Sequence, residues 1–102
     1  MILYNITVII DDKINEEWLD WMNTEFIPVL TNSDHVTSNR FLRVIDSPNE
    51  GITYCVQLII DTIGNYQQFQ ETDFPQLMAD HSTKFANSFV SFSTLMEFID
   101  QE

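Results

Sequence analysis

The sequence predicts an α+β fold of β-α-β-β-α-β order, a ferredoxin-like sandwich in which a four-stranded antiparallel sheet carries helices on one face. Three observations predict it. Residues 2–10 and 52–60 alternate with the two-residue period of a strand. Residues 14–30 and 63–85 carry apolar side chains at three- and four-residue steps, the helical period. Ser47-Pro48-Asn49-Glu50-Gly51 has the composition of a β-turn and joins the second and third strands as a hairpin.

In the first strand Ile2, Tyr4, Ile6, Val8 and Ile10 share one face and Leu3, Asn5, Thr7 and Ile9 the other. Asp11 and Asp12 end it. The first helix follows, with Ile14, Trp18, Met22, Phe26 and Leu30 in one stripe and Asn15 as its expected N-cap, acids next to it favouring the positive end of the dipole. Pro28 is expected to strain or end the last turn. After the loop 31–35, VTSNRFLRVID suits a strand of about ten residues. The third strand sets Ile52, Tyr54, Val56, Leu58 and Ile60 against Thr53, Cys55, Gln57 and Ile59. Asp61 or Thr62 caps a helix bearing Ile63, Tyr66 and Phe69, and the chain breaks near Asp73-Phe74-Pro75, where Pro75 suits the first turn of a new segment. Phe74, Leu77, Met78, His81 and Phe85 form the next stripe, closed by Asn87-Ser88. In the last strand Val90, Phe92, Thr94, Met96 and Phe98 fall on one side, and Ser91, Ser93 and Glu97 on the other beside Phe89 and Leu95.

The 102 residues suit a single domain, 1–102. Sixteen acids against four cations give a net charge of -12. The scattered Lys13, Arg40, Arg43 and Lys84 cannot supply the basic footprint that nucleic acid or an anionic membrane surface demands, so neither is an expected partner. A 44% hydrophobic content separates the chain from disordered acidic tails. Cys55, the only cysteine, cannot form an intrachain disulfide, which fits a reducing cytoplasm. The N-terminus lacks a basic region and a small-residue cleavage site, so no export signal or membrane span is expected.

The helices are expected to cover the more apolar sheet face. That leaves a second face of Leu3, Asn5, Thr7, Ile9, Thr53, Cys55, Gln57, Ile59, Ser91, Ser93 and Leu95, too apolar to stand in water. A second copy packed sheet to sheet about a two-fold axis is the expected cover.

His81 is the leading candidate for chemistry, as a base or axial ligand, although its apolar stripe favours a histidine at the core edge bonded to backbone or a strand side chain. Asn5, Thr7, Gln57, Ser91 and Ser93 are neutral hydrogen-bonding groups suited to orienting a small, mostly apolar ligand. Tyr4 and Tyr54 need hydroxyl partners, His81 among the candidates. Trp18, Trp21, Met22 and Phe26 read as core, with Trp21 partly exposed. No His or Cys has a companion at metal-ligand spacing, and Gly51 and Gly64 make no phosphate loop, so no metal or cofactor is expected. The doublets Asp11-Asp12 and Glu16-Glu17 read as solvated surface.

The segments MILYNITVIIDDKINEEWLDWM, FIPVL, ITYCVQLII and FVSFSTLMEFI resemble an uncharacterised bacterial domain-of-unknown-function family of the dimeric α/β barrel superfamily. The resemblance covers nearly the whole chain and implies a ferredoxin-like protomer whose sheet pairs with its twin; it implies no activity. Where related proteins often carry His before the Ile-Pro dipeptide, this chain has Phe26. Other branches include cofactor-free monooxygenases, heme-degrading monooxygenases, chlorite dismutase-like enzymes and stress-response proteins. The heme-degrading branch is similar in its Asn on the first strand and His on the second helix, matched by Asn5 and His81. Its catalytic Trp has no match, because Trp18 and Trp21 both lie in the first helix. The expected function is a homodimeric small-molecule-binding or accessory protein. The alternatives are a cofactor-independent monooxygenase or isomerase acting on an aromatic substrate through Asn5, Gln57 and His81, and a heme-handling protein using His81.

Overall fold

The computed structural model describes residues 1–48 and 50–99. The sheet runs in the order β2 (Ser38–Arg43), β3 (Ile52–Ile60), β1 (Ile2–Ile10), β4 (Phe89–Glu97), and every neighbouring pair is antiparallel. Helices α1 (Asn15–Trp21) and α2 (Ile27–Asn32) connect β1 to β2, and α3 (Ile63–Glu71) and α4 (Asp73–Lys84) connect β3 to β4. This is the ferredoxin-like arrangement. The hairpin turn expected over 47–51 includes Asn49, which lies outside the described residues.

β1 and β3, the two central strands, pair without offset from Ile2 opposite Ile60 to Ile10 opposite Ile52. Facing residues point to the same side of a sheet, so the register places Tyr4, Ile6, Val8, Ile10, Tyr54, Val56, Leu58 and Ile60 together under the helices. All are buried, with Trp18, Met22, Phe26, Leu30, Phe69, Leu77 and Phe85 packed above them. β2 is shorter than expected as a strand, but its ladder continues at both ends, through Thr37 N–H to Ile59 O at 2.8 Å and Val44 N–H to Thr53 O at 2.9 Å. The turn beyond it requires a positive φ at Asp46, a conformation that an extended ladder cannot accommodate.

Pro28 does not end the first helix. The chain widens into a π turn over Met22–Phe26, in which Ile27 N–H bonds Met22 O five residues back, and α2 follows directly with Pro28 in its first turn. The wide turn also serves the core. In an α-helix a four-residue repeat drifts about 40° per step, whereas extra residues in one turn hold Trp18, Met22, Phe26 and Leu30 against the sheet, all essentially inaccessible.

Capping differs in one place from expectation. Asp11 caps a short 3₁₀ turn at Asp12–Ile14 by accepting from Lys13 N–H at 2.9 Å, and Asn15 is the first residue of α1. Its Oδ1 accepts from the Tyr54 hydroxyl at 2.6 Å, tying helix to sheet. Thr62 caps α3 through Asn65 N–H, and Pro75 lies in the first turn of α4, as expected.

β4 carries the main correction. Its register with β1 sets Val90 opposite Ile9, Phe92 opposite Thr7, Thr94 opposite Asn5 and Met96 opposite Leu3, so these four share the face turned away from the helices. Ser91, Ser93 and Leu95 lie on the helix side, and Ser93 Oγ accepts from the Tyr4 hydroxyl at 3.1 Å. Alternation alone separates two sets of residues without saying which set points inward. Pairing with β1 decides it, aided by Asp11 N–H donating to Ser88 O at 3.0 Å, just before the strand begins.

Gly51 closes the β2–β3 hairpin at φ +85°, and a Cβ there would stand 2.5 Å from Ile10 O. Gly51→Ala is expected to cost about 2 kcal/mol or more through strain and displacement of β1. Gly64→Ala, where the added carbon meets only Thr62 Oγ1 at 3.7 Å, is expected to be neutral or to stabilise by up to ~1 kcal/mol. Urea unfolding of both variants checks the contrast; equal effects would contradict it.

Candidate functional site

Two regions hold the candidate residues, and the sheet separates them. On the helix side His81 is 1% exposed, deeper than the core edge. Trp21, Phe26, Phe85 and Phe89 surround its ring, with Phe89 edge-on at 4.4 Å between centroids. Its bond is to a helix side chain, neither backbone nor strand: Trp18 Nε1–H donates to His81 Nε2 at 2.9 Å. Indole can only donate, so Nε2 supplies its lone pair and the proton of the neutral ring sits on Nδ1. Nδ1 has no hydrogen-bond partner among the described residues.

This arrangement decides what His81 can do chemically. A second proton would belong on Nε2, directly against the indole N–H, inside an apolar box. Burial accordingly lowers its pKa from the usual 6.5 to about 4. The lone pair needed by a base or axial ligand is already occupied. Tyr4 and Tyr54 find their partners in Ser93 and Asn15, not in His81.

The other face of the sheet has no helix over it. Four cross-strand rows run across it: Ser38–Ile59–Leu3–Met96, Arg40–Gln57–Asn5–Thr94, Leu42–Cys55–Thr7–Phe92 and Thr53–Ile9–Val90. None of these residues is acidic, and Arg40 is the sole charge among them. Val90 and Phe92 are 62% and 56% exposed, and Leu42 and Met96 are also open to solvent. Asn5 Nδ2 donates to Thr7 Oγ1 at 3.0 Å, and that hydroxyl lies 3.7 Å from Cys55 Sγ. Asn5 Oδ1 is shut off from solvent and has no partner among the described residues.

The structure thus brings Asn5, Thr7 and Gln57 together and places His81, Ser91 and Ser93 on the opposite side of the sheet. The sheet itself stands between Asn5 and Gln57 on its open face and His81 beneath the helices. Sequence reasoning missed Val90, Phe92 and Met96 as open-face residues. Their alternation was visible, and the signal for their side was the pairing of β4 with β1, which needs the register. An open cleft of about 550 Å³ at the end of the sheet, lined by residues including Ile9, Asp11, Asp12, Gly51, Asn87 and Val90, includes none of Asn5, Thr7, Gln57, His81, Ser91 and Ser93. Among the described residues, no three His, Cys, Asp or Glu side chains are grouped to hold a metal ion, and no helix is long and apolar enough to cross a membrane.

The lowered His81 pKa has a definite sign for stability. Between pH 6.5 and 4 the unfolded chain takes up a proton that the folded chain refuses, so this contribution is complete above pH 6.5 and is lost as pH falls through that interval. Across that whole interval the loss amounts to about 3 kcal/mol. His81→Gln retains an acceptor for Trp18 and should show a shallower decline in urea midpoint over that range than the parent chain. Parallel declines would contradict the assignment.

Comparison with solved structures supports the fold at low identity. A dimeric ferredoxin-like protein from an uncultured marine organism aligns with TM-score 0.74 and 15% identity over 100% of this chain and 98% of its own. SnoaB, a cofactor-independent oxygenase from Streptomyces nogalater, aligns with TM-score 0.71 and 11% identity over 98% and 94%. MhuD, solved with two manganese protoporphyrin IX bound per active site, aligns with TM-score 0.70 and 14% identity over 100% and 98%. No curated protein matches the chain. One of the three is an oxygenase, one holds a metalloporphyrin and one is described by its fold alone, so architecture alone selects no activity. At the level of sequence, the match to one family spans residues 1–99, and the chain belongs to that family, the domain of unknown function DUF4286.

Proposed function

We propose that the protein is a cytoplasmic homodimer whose open sheet faces pack on each other, serving as an accessory protein or as a binder of a small, mostly apolar ligand held between the sheets near Asn5, Thr7 and Gln57. The observation that carries this reading is the open face itself. Val90, Phe92, Met96 and Leu42 stand in solvent on a surface free of acids, in a chain of net charge -12. Apolar surface of this extent is costly in water and marks an interface. The charge distribution favours a second copy as its cover, because two such faces meet without bringing acids together, while the acidic remainder of each protomer stays in solvent. The free thiol of Cys55 agrees with a reducing compartment.

The alternatives carry less support. A monooxygenase or isomerase mechanism drawing jointly on Asn5, Gln57 and His81 requires groups that lie on opposite sides of the sheet. Use of His81 by heme requires the Trp18 hydrogen bond to break and the aromatic box to open. Each reading has a direct consequence, however. Heme titration should yield no Soret band attributable to a His81 adduct.

Phe92→Asp tests the dimer. The wild-type chain is expected to run at the mass of two copies by size-exclusion chromatography with light scattering at micromolar concentration. The variant, folded by circular dichroism, is expected to run as a monomer, since two buried unpaired carboxylates oppose association. A monomeric wild type, or a variant that dimerises unchanged, would contradict the proposal.

A further inference from the structure

We infer that the small ligand of the open face is an organic acid, one carboxylate on an apolar body, with Arg40 as its charge partner and the Gln57 amide beside it. This rests on the dimer and ligand reading above and deepens it by naming the ligand's chemistry.

Arg40 is set apart by its place. The chain has sixteen acids, yet this arginine stands opposite Gln57 in the row Arg40–Gln57–Asn5–Thr94, on the side of the sheet that holds none of them. Among the described residues it has no ion-pair partner. In a lone protomer water solvates the exposed guanidinium. A second copy changes that. Its open face is the same face, so it brings Leu3, Phe92 and another Arg40 but no carboxylate. Covering the sheet therefore withdraws water from a cation without returning a counter-charge, and an unpaired desolvated charge is costly. An anion from outside the two chains removes that cost.

Gln57 supplies the second donor. It is half-buried, and its side chain has no hydrogen-bond partner among the described residues. Neighbouring strands lie about 4.8 Å apart, so the guanidinium fork and the amide nitrogen are within reach of the two oxygens of one carboxylate. Further in, Asn5 and Thr7 are bonded to each other, which leaves Arg40 and Gln57 as the free polar end of the row. The next row on one side offers Ile59 and Leu3, and the next on the other offers Leu42 and Cys55. An apolar body lies on these with its head group at the β2 edge. Charge selects among anions as well. One arginine balances one negative charge, whereas a phosphate monoester carries about 1.5 to 2 at neutral pH, and the excess would stand unpaired in a chain of net charge -12.

Calorimetric titration of the wild-type chain and of Arg40→Gln with decanoate and with the neutral decan-1-ol tests this. Wild type should bind decanoate at least about tenfold more tightly than decan-1-ol. Arg40→Gln should lose that preference, hold decan-1-ol within about threefold of wild type, and still run as a dimer by light scattering. Decan-1-ol bound as tightly as decanoate, or a preference that survives Arg40→Gln, would overturn the inference and leave the apolar-ligand reading standing. Dissociation of the dimer by Arg40→Gln would overturn it too, because the counter-charge would then sit on the second copy. A dimeric wild type that binds neither probe would overturn both the inference and the ligand reading, leaving an accessory dimer. A monomeric wild type would overturn the dimer reading and with it the desolvation of Arg40 on which the inference stands.

Discussion

The offset-free pairing of β1 with β3 governs the rest of the structure. Nine residues face nine, and the two-residue period of both strands is thereby locked in phase. A slip of one position would turn Tyr4, Ile6 and Val8 outward and bring Asn5 and Thr7 beneath the helices, exchanging the two surfaces. Because the phase is held, one side of the sheet gathers Tyr54, Val56, Leu58 and the aromatic helix residues into a core, and the other gathers neutral polar groups within an apolar rim. β2 and β4 inherit their facing from these strands.

The Trp18–His81 bond is the counterpart of that pairing above the sheet. It joins α1 to α4, which are far apart in sequence, and it does so between two fully buried polar rings. Buried polar groups that find one partner and no other are satisfied in only one geometry, which orients the two helices as apolar packing alone would not. Tyr54 to Asn15 and Tyr4 to Ser93 act similarly at the margins. The histidine that looks most reactive in the sequence is thus part of the scaffold, and on the open face the less conspicuous Asn5 is a polar group left without a full set of partners.

Much of the fold was legible in the sequence because strands and helices here are written in strong periodicities. Residues 2–10 and 52–60 were read to their observed limits. Three features were not legible. The π turn before Pro28 has no composition signal, since it answers a need of the core, namely to hold a four-residue repeat against a flat sheet. The helix-side location of Ser91 and Ser93 depends on the pairing partner of β4, a long-range fact. The partner of His81 is a residue 63 positions away, and local pattern could place the ring on a buried stripe without naming Trp18. For the same reason the grouping of Asn5, Thr7 and Gln57 was readable from strand parity, whereas the inclusion of His81 with them was not testable until the sheet stood between them.

The account as a whole turns on whether the open face is covered in solution. Hydroxyl-radical footprinting of the wild-type chain over a range of concentrations measures this at individual side chains. Oxidation of Phe92 and Met96 should be suppressed at high concentration and rise together on dilution, while Val29, Ile63 and Ile99, exposed elsewhere on the molecule, stay equally reactive throughout. Phe92 and Met96 reacting at the same high rate at every concentration would contradict the account.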